Sequence, residues 1–199
     1  MNESNQLEIW SDLVNQSTAN AMATLSTMMG REVAVHSLGL RQVSMDEVVR
    51  LVGGPEALTV GVYLTVSGNA DGHIMLMYEP KIALAFVDML MGQEIGTTSD
   101  LGEMELSALG EMGNVVGSSF LNALADGANL RLMPSPPILF RDMAGALIDI
   151  IAADVLMTRD EAFIADTTFR IGDNHLSGIF FVIPVESLVQ ALNESLRVA

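Results

Sequence analysis

An α+β fold built on an antiparallel β-sheet is what this 199-residue chain predicts. Three observations carry the expectation. Two pairs of alternating, β-branched stretches are joined by the turns Gly68-Asn69-Ala70-Asp71-Gly72 and Gly172-Asp173-Asn174, the mark of hairpins and so of antiparallel pairing. Two long stretches, residues 1–30 and Glu103–Asp126, repeat apolar side chains at helical spacing. The order long helix, strand, short helix, hairpin, helix is spelled twice, which predicts an internal duplication of one domain into repeats of about 1–98 and 99–199. A single half would leave half a core exposed, so the repeats should share one core about a pseudo-twofold axis.

The elements follow in order. Trp10, Leu13, Val14, Ala21, Leu25, Met28 and Met29 give the first helix its apolar face, and Gly30 its stop. Arg31–His36 alternates and reads as a strand. A short helix over Met45–Val52, with Ser44 as N-cap, ends at Gly53-Gly54-Pro55. Strands at Leu58–Ser67 and His73–Met77 form the first hairpin. Glu79-Pro80 opens a helix that ends near Gly92, and Gln93–Asp100 is a polar connector. The second pass gives the Glu103–Asp126 helix, a short strand at Asn129–Met133 and a helical or mixed segment at Met143–Val155. Strands at Ala162–Arg170 and Ser177–Ile183 and a closing helix at Glu186–Leu196 complete it.

Composition narrows the function. No apolar run approaches the roughly 18–20 residues that span a bilayer, and the polar, acidic start lacks the regions of a signal peptide. The expectation is a cytoplasmic protein without membrane insertion. There are no cysteines, and the three histidines are scattered, which removes thiolate chemistry and disfavours a metal site. No GxSxG elbow supports a serine hydrolase. A net charge of −16, with 25 acids and one lysine, Lys81, repels phosphate backbones, so nucleic acid is not an expected partner. The 14 methionines suit an adaptable contact surface and a core equally well.

Ser107, Glu111 and Asn114 sit at i, i+4 and i+7 of the second long helix. At ~100° per residue they fall within an arc of about 60° over roughly 10 Å. Leu109, Met112, Val116 and Phe120 occupy the opposite side, facing the core. A hydroxyl, a carboxylate and an amide are thus displayed outward in one row. The first long helix echoes it with Glu8, Asp12 and Asn15 at the same spacing. Each row is readable as the solvated face of an amphipathic helix. Against that stand the recurrence of Asn, a poor helix-interior residue, and the glycines Gly110, Gly113 and Gly117 along one edge. Those glycines admit a close neighbour, which the sequence leaves as either a partner or the chain itself. Pro134, Pro136 and Pro137 then stiffen a segment that either braces a strand near this face or simply rigidifies a loop.

The run Ser107-xxx-Glu111-xx-Asn114, followed after 22 residues by Pro137, together with GEMGNVVGSSFLNALAD and PSPPILFRDMAGA, resembles the CheC-type phosphatases of chemotaxis, whose members include CheX and FliY. The resemblance implies a phosphatase for the aspartyl phosphate of the response regulator CheY. In that case Asn114 orients the attacking water, Glu111 engages the regulator's active-site lysine, and Ser107 and Pro137 occupy supporting positions. It also implies that Mg²⁺ comes with the substrate, the chain having no cofactor of its own. The first copy departs from the pattern, with Glu8 for Asp or Ser, Asp12 for Glu, and Leu38 where proline is expected. The family also binds the receptor deamidase CheD, so an adaptor that sequesters or regulates CheD with little phosphatase activity is the alternative.

Overall fold

In the computed structural model, residues 3–30, 33–51, 53–155, 161–171, 174–184, 190–191 and 194 are described. The order is α1 (Glu3–Met29), β1 (Val33–Ser44), α2 (Met45–Leu51), β2 (Leu58–Gly68), β3 (Gly72–Tyr78), α3 (Pro80–Leu90), α4 (Glu103–Ala128), β4 (Leu132–Pro134), β5 (Ile138–Met143), α5 (Ala144–Val155), β6 (Glu161–Ile171) and β7 (Asn174–Pro184). The strands form one sheet in the order β1-β6-β7-β3-β2-β4, with β5 also on β2. Every pairing in it is antiparallel.

The pleat of β2 shows how the layers are built. Val62 and Leu64 face α4, against Gly113 and Gly117, whereas Gly61, just before Val62, faces Leu147 of α5. Helices therefore cover both faces of the sheet around β2. That explains why all seven residues of β3 are buried and why His-Ile-Met-Leu-Met-Tyr reads as a nearly continuous apolar run. The larger layer holds α1, α3 and α4, whose Leu25, Phe86, Leu109, Met112, Val116 and Phe120 form the core with Val62, Leu64, Ile74 and Leu76. On the other face, the Tyr63 hydroxyl and His73 Nδ1 share a buried hydrogen bond of 2.8 Å.

The two long helices lie side by side and antiparallel: Thr24 Oγ1 meets Ser119 Oγ at 2.8 Å, and Leu13 lies against Gly127. The hairpins meet at the centre of the sheet. There β3 pairs with β7 from Gly72↔Pro184 through Met75↔Phe181 to Tyr78↔Gly178. The outer strands are exchanged, β1 pairing with β6 and β4 and β5 with β2.

Several expectations need correction. The first strand runs on to Ser44 because pairing with β6 holds all of it, through a register shift between Val35 and Ser37. The short strand begins at Leu132, because Asn129 takes the left-handed cap of α4 (φ 51°) and the Leu130 N–H reaches back to the Ala125 carbonyl at 2.8 Å. The strand β5 was not anticipated: the prolines just before it and its mixed, mostly exposed side chains hide it. The uncertain segment at Met143–Val155 is a helix, α5, from Ala144. The side chain of Ser44, the expected cap, and most of the closing helix lie outside what is described; Gln190, Ala191 and Glu194 are helical.

Candidate functional site

Why α4 is a helix here is visible at both ends and along its buried side. The Leu106 N–H bonds the Gly102 carbonyl at 3.0 Å, and Glu103 and Glu105 place negative charge at the positive end of the helix dipole. Leu109, Met112, Val116 and Phe120 are fully buried. Each such side chain withdraws an area worth about 2–3 kcal/mol from water. Burying that stripe turns the opposite side outward: Ser107 and Glu111 are exposed and Asn114 is half-buried.

The glycine edge is a packing feature of this chain. A Cβ on Gly113 would overlap Val62 Cγ1 and lie 3.0 Å from Val62 Cβ; one on Gly117 would lie 3.3 Å from Leu64 Cδ1. One on Gly110 would meet Leu139 Cδ1 at 2.8 Å and Pro137 Cγ at 3.9 Å. The glycines bring α4 down onto the sheet, and what approaches them is side chains of β2 and β5 and the Pro137 ring. They are no argument for a partner.

Pro137 reaches the helix through the break between β4 and β5. Pro134 still pairs with Val66, and the Ser135 N–H donates to the Thr65 carbonyl at 2.8 Å. The Thr65 N–H returns to Ser135 Oγ at 3.0 Å. Pro136 and Pro137 have no N–H to offer, so the ladder lapses and resumes at Ile138↔Tyr63. In the lapse Pro137 settles beside Gly110. On an ideal helix Gly110 points about 40° from Asn114 and about 100° from Glu111. Pro137 therefore flanks the Ser107–Asn114 edge of the row, and Glu111 forms the other edge. Proline chemistry could have suggested the lapse from sequence, but not its position against Gly110.

The connector that leads into α4 is fixed from below, a feature the sequence reading missed. Asp88, fully buried in α3, accepts the N–H groups of Gly96 (2.7 Å) and Thr97 (3.2 Å) on Oδ2 and of Thr98 (2.8 Å) on Oδ1. Burial opposes its ionisation. The Thr98 hydroxyl and these three N–H groups outweigh burial and hold the carboxyl below the usual carboxylate range. Farther on, Arg141 of β5 bonds Asp100 at 3.2 Å.

The structure does not bring the two rows together. Asp12 and Asn15 are exposed on α1; Glu8 lies on α1 and Leu38 on β1, with side chains outside the described residues. Because Leu13 lies beside Gly127, Asn15 sits level with the C-terminal end of α4, roughly 20 Å along the helix pair from Asn114. Leu38 follows the register shift of β1 and pairs with Thr167, whereas Pro137 lies in the lapse between two strands. Among the described residues no group of three His, Asp or Glu could hold a metal, and no helix is long and apolar enough to cross a membrane.

An antiparallel sheet between helical layers, with a polar row on an outer helix, defines a fold shared with flagellar switch and chemotaxis proteins. It superposes on FliY of Thermotoga maritima with a TM-score of 0.74 at 21% identity, covering 99% of this chain and 98% of that one. It superposes on the middle domain of FliM of H. pylori with a TM-score of 0.64 at 15% identity, covering 98% of this chain and 99% of that one. In sequence, residues 104–141, the span from α4 to β5 that carries the row and Pro137, match the CheC-like family. The CheY-P phosphatase CheC of Bacillus subtilis is 28% identical over 199 residues, covering 96% of this chain and 95% of its own. The chain is thus similar to CheC in sequence and to FliY in fold.

Proposed function

We propose that this chain hydrolyses the aspartyl phosphate of a CheY-type response regulator in the cytoplasm, with Asn114 positioning the water and Glu111 docking the partner. The observation that carries the reading is the outward row Ser107–Glu111–Asn114 flanked by Pro137, within the segment that matches the CheC-like family. The B. subtilis relative, named a CheY-P phosphatase, supports it. Fold alone would not, because FliM shares the fold and its structure is described as an assembly with FliG.

An aspartyl phosphate is a mixed anhydride with a good leaving group. Its hydrolysis lacks only a water held in line with the P–O bond. The water oxygen bonds phosphorus as the bond to the aspartate oxygen breaks, releasing a carboxylate and dihydrogen phosphate, which keeps both of the water's protons. The transition state is loose, so positioning and charge stabilisation dominate. A neutral amide suits Asn114 because its carbonyl accepts from the water while its NH₂ donates elsewhere. A carboxylate there would repel the phosphoryl group. Glu111, on the opposite edge, is placed to meet a cation of the regulator, and the Mg²⁺ belongs to the substrate.

We also propose that the domain consists of two repeats, about 1–98 and 99–199. The sequence matches Gly72 with Gly178 and Tyr78 with Pro184, and under that match Met75 pairs with its own counterpart, Phe181. The first row, Asp12 and Asn15 with Glu8, is the weaker site in this proposal.

The test is phosphate release from CheY phosphorylated with acetyl phosphate. Asn114→Ala should slow it by about 100-fold or more, Asn15→Ala by far less, and Glu111→Lys should chiefly raise KM. A double Asn15→Ala, Asn114→Ala variant that keeps the wild-type rate would overturn the reading.

A further inference from the structure

We propose that Met104 is the apolar anchor by which the α4 row grips its protein substrate, an inference that rests on the phosphatase reading above. Met104 is 67% exposed, the most exposed of the large apolar side chains among the described residues, and has no part in the core. Scattered exposed apolar residues are ordinary; its position is what distinguishes it. Met104 precedes Glu111 by seven residues, so the two lie about 20° apart on the helix and roughly 10 Å along it. It therefore continues the docking edge of the row, away from the edge that carries Asn114 and Pro137.

The chemistry of that edge needs such a residue. An exposed carboxylate paired with one partner cation contributes only about 0–1 kcal/mol, which is little to hold two proteins in register. A thioether side chain pressed into a contact adds affinity without fixing a demanding geometry. Its surroundings describe the occupant. Glu103 and Glu111 are exposed on the outer part of the same helix, each within about 100° of Met104. The fitting partner surface is thus apolar where Met104 lands and basic around it, beside the phosphorylated pocket of the response regulator. The first row lacks this feature. The residue three before Glu8, as Met104 is three before Ser107, is Asn5.

The experiment measures phosphate release against the concentration of CheY phosphorylated with acetyl phosphate, for wild type, Met104→Gln, Met104→Leu and Asn114→Ala. Binding of beryllofluoride-treated CheY is measured in parallel. The expected result is a KM about tenfold higher in Met104→Gln with kcat unchanged, a matching loss in beryllofluoride–CheY affinity, and near wild-type constants for Met104→Leu. If Met104→Gln has a wild-type KM while Asn114→Ala is inactive, the anchor is wrong and the phosphatase reading stands. Should Asn114→Ala retain the wild-type rate, catalysis does not run through the α4 row, and the anchor falls with that assignment.

Discussion

Replacing Gly113 with alanine would gain about 1 kcal/mol of helix propensity, yet the structure predicts a net loss. The new methyl group would overlap Val62 Cγ1, in a strand held between α4 and α5, where neither side can give. Overpacking of this kind costs about 1–3 kcal/mol. The urea midpoint of Gly113→Ala should therefore fall, while its unfolding slope stays that of the wild type. Gly110→Ala meets the flexible end of Leu139 instead and should be milder in stability. Because it pushes towards Pro137, it should show in the phosphatase assay first. At this scale the row itself was legible, since Ser107, Glu111 and Asn114 are set by helix period and the buried stripe opposite. The meaning of the glycines beside them was not, because it depends on Val62, Leu64 and Leu139, which no local pattern connects to α4.

The connector from α3 to α4 is polar and looks like a loose link in sequence, but Asp88 makes it part of the scaffold that sets where α4 begins. Removing the carboxylate in Asp88→Ala strands three N–H groups and should cost about 3 kcal/mol. The pH dependence has a definite sign. The folded pKa of Asp88 lies below its unfolded value, so the native state binds fewer protons there. Its contribution is present above the unfolded value, near 4, and is lost as pH falls through the folded one. Urea midpoints measured from pH 7 down to pH 3 should drop more steeply for wild type than for Asp88→Asn. The edge strand β5 escaped the sequence reading for a related reason. Tertiary pairing with β2 carries the strand on through Arg141 and Asp142, whose charged side chains give no strand signal.

On the scale of the whole molecule, α+β architecture and hairpin order were legible, because periodicity and turn residues are local signals. Strand exchange was not, since nothing local specifies that β1 lies on β6 while β4 and β5 lie on β2. It makes each half a poor unit by itself. A fragment of residues 1–98 would keep the β2–β3 hairpin but lose the partners of both its edges, and should lack the near-ultraviolet dichroism of the intact chain; a cooperatively folded fragment would contradict this. The same exchange has a consequence in time. As the chain leaves the ribosome, β2 and β3 emerge with two bare edges, and β1 waits for a strand made in the last quarter of synthesis. Pairings so distant in sequence close slowly, and unpaired edges invite association with other chains. Folding yield should thus fall with the concentration of nascent chains, a hazard that the many like charges on an acidic chain are suited to reduce.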